Sequence, residues 1–301
     1  MSQERQAEPV ITFRWYVVTF MDLLGQKEWL KQWCTLPQSL EEREAFNQGL
    51  TKTVGPVSFL RDKFQEIFNT YLTPIDPNEL NRLGLTREQA SAWLKAENAT
   101  LGWGFFSDSF VFWSPTQNAQ GDLTVRGFYI MLLASAIMMP LCLVNKTPLR
   151  GGIEVGVATE LPPRNDIYGP AVAEAYGLES KVAQYPRIVV GKALREYIEA
   201  VKKSGGRDEY SSVMRKMAEE CSLLICEDCD DGVPMLDFLG EAMFSFYRER
   251  RATKSLDTVR KAIAYVKEEH DRLKREGDPK MAMRYGRLRA YCSSREHLWR
   301  E

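Results

Sequence analysis

Histidine is almost missing from this chain. Only His270 and His297 occur in 301 residues, both remote in sequence from the one Cys-x-x-Cys pair, Cys226 and Cys229. A structural zinc site needs four nitrogen or sulfur ligands, so that pair reads as thiols beside a turn. Net charge is missing too. The formal value is −1 and the pI about 6.3, which leaves no basic footprint for nucleic acid as a partner. No apolar run is both long and unbroken enough to cross a bilayer. The longest, Phe128 to Val144, is interrupted by Ser135 and Pro140 and reads as a buried helix, so no membrane partner is expected. The N-terminus is polar and lacks a signal-peptide apolar segment. Six cysteines at irregular spacing suit a reducing compartment, and the expected location is cytoplasmic. Gly102-Trp103-Gly104 is only a fragment of a dinucleotide fingerprint, and no Walker sequence occurs.

What is present starts with Arg14 to Gly25, apolar and rich in β-branched and aromatic residues. It reads as a buried strand that delivers Asp22 to its end, with Gly25 relaxing the turn that follows. Period-two alternation puts Val18 and Phe20 on the face of Asp22. Alone, such an aspartate is as well explained by capping the next helix. A second segment changes the balance: Leu101 to Trp113 has two apolar runs around Ser107-Asp108-Ser109, a hairpin with Asp108 at its tip. Two carboxylates at the ends of neighbouring strands suit a pair of hard divalent cations.

Along the rest of the chain, residues 1–11 read as frayed, Gln26 to Trp33 as an amphipathic piece, and Pro37 to Arg43 as a charged connection. Val57 to Tyr71 carries Leu60, Phe64, Ile67, Phe68 and Tyr71 at helical spacing, with Arg61 on another face. Residues 73–98 read as a surface excursion with a short helix from Thr86, and 114–122 as a polar loop before a helix over 125–144. Leu149 to Ala158 is a strand whose glycines allow close approach of a ligand or a packed neighbour. A loop from Pro162 and Pro163 leads to a helix opened by Pro170 and running to Glu179. Pro186 to Gly191 is a strand and a helix starts near Lys192. Ser222–Cys226 and Val233–Leu239 form a hairpin, a long helix spans about Leu256 to Arg275, and the basic tail is helical. Leu256, Val259, Ile263, Val266 and Leu273 are heptad-spaced, more in keeping with docking on the same domain than with an interchain coil. No linker forces a boundary, and strands alternating with helices predict an α+β, sandwich-like fold.

Four segments in order resemble the catalytic domain of class III nucleotidyl cyclases. Phe20-Met21-Asp22-Leu23-Leu24-Gly25 is similar to its first metal motif and Ser107-Asp108 to its second. Arg150-Gly151-Gly152-Ile153-Glu154-Val155-Gly156 is similar to its arginine-glycine-isoleucine strand, and Tyr168-Gly169 through Leu178-Glu179 to its transition-state helix. The resemblance covers about residues 12–192. It implies a ferredoxin-like core over 12–200, with 201–301 as an extension packed on the same domain. On this register the family's transition-state asparagine falls on Ala173, its arginine on Gly177, and its adenine-selecting lysine near Gly104. Those departures, with Tyr185-Pro186-Arg187, resemble the pyrimidine cyclases of bacterial Pycsar antiphage systems.

The resemblance implies a homodimeric lyase that makes cyclic UMP from UTP for a separate cyclic-nucleotide-binding effector. Asp22, Asp108 and the Leu23 carbonyl would hold two Mn²⁺ or Mg²⁺ ions, with Arg150 on the phosphates. Phe20 and Arg61 are candidates for nucleotide contact. Each has a plainer reading: Arg150 as a surface ion pair, Phe20 as core, Arg61 as a solvated helix residue. Glu174, Tyr176 and Arg187 either replace the lost groups or merely pack and pair. Cyclic CMP synthesis, and a degenerate module that binds nucleotide without turnover, are the alternatives; a purine cyclase is weaker.

Overall fold

Strand β1, Arg14–Leu23, lies in the middle of the sheet because both of its faces are covered by apolar layers. It pairs antiparallel with β3 (Ser109–Pro115) on one side and with β4 (Leu149–Leu161) on the other. Beyond β3 lies β2 (Gly102–Phe106). Beyond β4 lie β6 (Ile188–Val190), β8 (Pro234–Leu236) and β7 (Ile225–Glu227), while β5 (Asp166–Tyr168) pairs with the C-terminal end of β4. The β4–β6 pair is parallel, so the sheet is mixed and the architecture α+β. This computed structural model describes residues 12–26, 35–72, 86–89, 100–117, 124–161, 166–250 and 252–300. The expectations for 1–11, nearly all of 26–33, most of 73–98, 118–122 and Pro162-Pro163 lie outside the described residues.

Alternation along β1 divides the molecule. Val17, Met21 and Leu23 enter the large core, which also holds helices α1 (Leu40–Leu72) and α2 (Arg126–Val144). Tyr16 and Val18 enter a small cluster on the opposite face, with Trp113 from β3 and Ala171 and Ala175 from helix α3 (Pro170–Gly177). Helix α2 is apolar on all sides, as a helix enclosed by protein must be. It alone among the described residues is long and apolar enough to cross a membrane, but 83% of its apolar window is buried inside the protein.

Several elements differ from the sequence reading for identifiable reasons. The connection expected at Pro37 to Arg43 is already helix, since α1 starts at Leu40 and passes through Pro56. Its start is a capping box: the Ser39 hydroxyl accepts from the Glu42 N–H, and the Glu42 carboxylate accepts from the Ser39 N–H. Residues Ser114 and Pro115 extend β3 rather than opening a loop. Ser222, expected at the start of a strand, instead lies in the last turn of helix α5 (Glu209–Leu223), whose first turn is capped by Asp208. Helix α4 (Lys192–Lys202) is capped from a distance: the Glu154 carboxylate on β4 accepts from the N–H groups of Leu194 and Ala193, at 2.7 and 3.3 Å. The C-terminal helices α6 (Glu241–Glu249), α7 (Thr253–Glu276) and α8 (Pro279–Arg295) pack on the same large core. The heptad-like residues Val259, Ile263, Val266 and Leu273 of α7 are buried there, which makes α7 a docked helix.

A candidate carboxylate–arginine site at the ends of the central strands

Directly opposed residues in an antiparallel sheet share a face. One row across four strands therefore carries Phe106, Ser109, Asp22 and Arg150 on the same side. The next row carries Gly104, Val111, Phe20 and Gly152. This is the face of the small cluster, where α3 packs. The β2–β3 hairpin places Asp108 at its tip, beside Ser107, whose φ of 60° is uncommon for a residue other than glycine. Asp108 is fixed next to Asp22 by its carbonyl, which accepts from the Leu23 N–H at 3.2 Å. After β1 the chain turns through Gly25 at φ 90°, as the sequence reading required.

Asp22 accepts a hydrogen bond from the Ser109 hydroxyl at 2.9 Å and a longer one from the Arg150 guanidinium at 3.4 Å. Burial pushes its carboxyl above the ordinary range; Ser109 opposes this, Asp108 adds to it, and Arg150 opposes it. Arg150 also meets Glu179, with Nε 2.6 Å from Oε1. Burial pushes Glu179 up to about 7; Arg150 opposes the rise, whereas the charges of Asp22 and Asp108 add to it. Three carboxylates and one guanidinium thus share an electrostatic site open to solvent at Asp22.

Glu179 reaches this site because α3 lies against bare backbone. A Cβ at Gly152 would come within 2.4 Å of the Ala175 carbonyl, 2.5 Å of Leu178 Cβ and 2.9 Å of the Glu179 nitrogen. The β4 glycine at 152 therefore admits a packed neighbour. Helix α3 then continues as a π-helical turn, Leu178–Val182, that carries Glu179 inward. Nothing in the local sequence marks Glu179; only the glycine facing it could have drawn attention to the pair.

Of the residues singled out from sequence, Asp22, Asp108, Arg150 and Phe20 come together. The Phe20 ring meets Tyr176 of α3 edge-on, with centroids 5.2 Å apart. Leu23 buries its side chain in the large core, so only its carbonyl is a candidate oxygen donor. Arg61 is not brought to the carboxylates. Phe105 alternates to the face opposite Asp22, and Arg61 lies over that ring while pairing with Asp62 at 2.8 Å. Arg187 is structural: fully buried, it pairs with Asp228 and Asp231, each at 2.7 Å, and bonds the Val182 carbonyl. Glu174 is solvent-exposed. The thiols of Cys226 and Cys229 are free.

Among the described residues no three Asp, Glu, His or Cys side chains converge as a metal-holding group. Two adjacent carboxylates and a strand-end carbonyl form a hard, all-oxygen donor set, which fits Mn²⁺ or Mg²⁺ bound jointly with phosphate oxygens. Burial is the main cause of the raised Asp22 carboxyl; the neighbouring Asp108 charge adds a smaller contribution, which a bound cation would offset. Neither protein-family models nor curated protein sequences give a match to this chain.

Proposed function

We propose that this chain is a pyrimidine nucleotidyl cyclase that converts UTP to 3′,5′-cyclic UMP and pyrophosphate. The observation that carries the reading is the row Ser109–Asp22–Arg150 with Asp108 bonded beside it, at the open end of β1. The chain order β1-α1-β2-β3-α2-β4 with sheet order β2-β3-β1-β4, all neighbours antiparallel, supports it. That is a ferredoxin-like, split βαβ arrangement, the topology that the cyclase reading calls for.

Asp22, Asp108 and the Leu23 carbonyl would hold two divalent ions, which when bound supply charge neutralisation of the triphosphate and acidify the ribose 3′-hydroxyl. Arg150 orients phosphate oxygens through its planar fork. Phe20 and Tyr176 offer aromatic surface to a base on the same face. Position 104 faces this side without a side chain, so no ammonium is offered there to a purine. A second copy completes the site: Phe106 and Tyr176 on this face are 85% and 52% exposed, apolar surface that a two-fold partner would cover. The product would act in the cytoplasm as an alarm signal for a separate effector.

The second reading is a nucleotide-binding module without turnover. It is favoured by Ala173 and Gly177 on α3, which supply no polar group where a transition-state asparagine and arginine are expected. The deciding experiment incubates the protein with each of the four triphosphates and Mn²⁺ and separates the products. Cyclic UMP from wild type, and none from Asp22→Ala or Asp108→Ala of unchanged fold, is the expected result. Cyclic CMP alone would correct the base, a purine product would overturn the pyrimidine reading, and binding without product would favour the module.

A further inference from the structure

We propose that Glu179 is a positioning residue, which grips Arg150 by its Nε edge and holds the guanidinium in reach of both Asp22 and an incoming polyphosphate. The inference rests on the reading of this face as a nucleotide site and goes beyond it in assigning Glu179 a task. Three observations support it. Glu179 is 2% exposed, so its carboxylate has surrendered water and faces the site only. The two atoms are 2.6 Å apart yet off the hydrogen-bond axis, and both are buried without an aligned partner. Finally, Arg150 divides its nitrogens: Nε serves Glu179, whereas Nη2 makes only a long 3.4 Å contact to Asp22.

The consequence is an order of events for the side chains. While Asp22 is free, its charge draws Nη2 toward it. With a cation held by Asp22, Nη2 would be free of that carboxylate, and Glu179 would keep the arginine from swinging away. Both terminal nitrogens then face phosphate oxygens. Without Glu179 the guanidinium is tethered by its stem alone, and a flexible side chain must be ordered anew at each binding event.

The test is calorimetric titration of the full chain, first with Mn²⁺ alone and then with inorganic tripolyphosphate in the presence of Mn²⁺. Wild type, Glu179→Gln, Arg150→Lys and the double variant are compared. Glu179→Gln is expected to bind Mn²⁺ like wild type and tripolyphosphate about 10- to 100-fold more weakly, the usual loss when a supporting partner is removed. Arg150→Lys keeps the charge but lacks the Nε edge, so it should weaken tripolyphosphate similarly. The double variant should be no weaker than Arg150→Lys, because Glu179 acts through Arg150. Loss of Mn²⁺ binding in Glu179→Gln would make Glu179 a metal ligand and overturn the proposal. So would unchanged tripolyphosphate affinity in Glu179→Gln or in Arg150→Lys, additive losses in the double variant, or a wild type that binds no tripolyphosphate. Should Glu179→Gln not fold, Glu179→Asp, which keeps the charge but shortens the reach to Nε, should weaken tripolyphosphate and leave Mn²⁺ binding unchanged, and an unchanged tripolyphosphate affinity would overturn the proposal. A wild type that cyclises no triphosphate but shows this pattern would end the cyclase reading and leave the positioning role intact. Cyclisation without the pattern would do the reverse.

Discussion

Replacing Gly152 with alanine adds one methyl group at the point where β4 supports α3. The added carbon would lie 2.4 Å from the Ala175 carbonyl oxygen, 2.5 Å from Leu178 Cβ and 2.9 Å from the Glu179 nitrogen. Two of these are backbone atoms, so no side chain can rotate out of the way. Restoring ordinary contact requires α3 to lift by about 1 Å, which also breaks its packing on Tyr16, Val18 and Trp113. Overpacking of this kind costs about 1–3 kcal/mol, and the rigid neighbours place this case at the upper end. Two other glycines serve as controls. A Cβ at Gly156 meets Ala171 Cβ at an ordinary 3.4 Å, and one at Gly177 meets nothing within 4 Å. Gly177 has helical angles, φ −60° and ψ −41°, so Gly177→Ala should stabilise by up to about 1 kcal/mol. Urea unfolding should therefore rank Gly177→Ala above wild type, Gly156→Ala near it and Gly152→Ala about 2–3 kcal/mol below. The same lift moves Glu179 off Arg150, and displacements of that size can lower turnover about 100-fold. A Gly152→Ala protein within about 0.5 kcal/mol of wild type would refute the claim that α3 seats on this glycine.

Arg187→Met should cost about 3–5 kcal/mol in urea unfolding, because it leaves the buried Asp228 without its counter-charge, bonded to the Tyr185 hydroxyl and the Asp230 N–H; a loss below about 1 kcal/mol would show that those bonds suffice to hold the carboxylate. Thermal stability of the metal-free protein should fall as pH rises from about 5 to 8. Glu179 titrates near 7 in the folded chain against a reference of 4.5, so the folded state binds the extra proton and its stabilisation, on the order of 2–3 kcal/mol, is lost as that proton leaves. Glu179→Gln should flatten this slope, and an unchanged slope would assign it to other groups. Light scattering at micromolar concentration should give a dimer, and Phe106→Ser should weaken it, since Phe106 is the most exposed large apolar residue on the proposed face.

Much of the candidate site was legible because its signals are local. Alternation along Arg14–Leu23 put Phe20 and Asp22 on one face, and the Ser107-Asp108 turn fixed a hairpin tip. Both follow from backbone geometry within a dozen residues. Cross-strand register then aligned Arg150 with Asp22, 128 residues apart in sequence. The points that sequence leaves open have a different character. Arg187 stood among possible replacements for lost site groups, but its partners Asp228 and Asp231 arrive from a turn more than 40 residues on. Arg61 was correctly placed on a helix face away from the core stripe, yet which side of the sheet that helix covers is a tertiary fact. The start of α1 differs from both, since the Ser39 to Glu42 capping box that opens it is a local signal.

Glu179 marks the boundary between these two kinds of information. Its burial depends on a π-helical turn, on the absence of a side chain at Gly152, and on an arginine from another strand, and no window of sequence contains all three. The glycines of β4 are read in isolation as permission for something to come close, and the sequence leaves open what that is. In the folded chain it is α3, and the approach presses a carboxylate against Arg150. The same packing that seats the helix therefore shapes the electrostatics of the site: it buries Glu179 against Arg150, and the charges of Asp22 and Asp108 add to the rise that burial imposes on the Glu179 carboxyl. Metal binding and α3 seating should therefore be linked. Mn²⁺ should then raise the unfolding temperature of wild type more than that of Gly152→Ala, and equal shifts would separate the two.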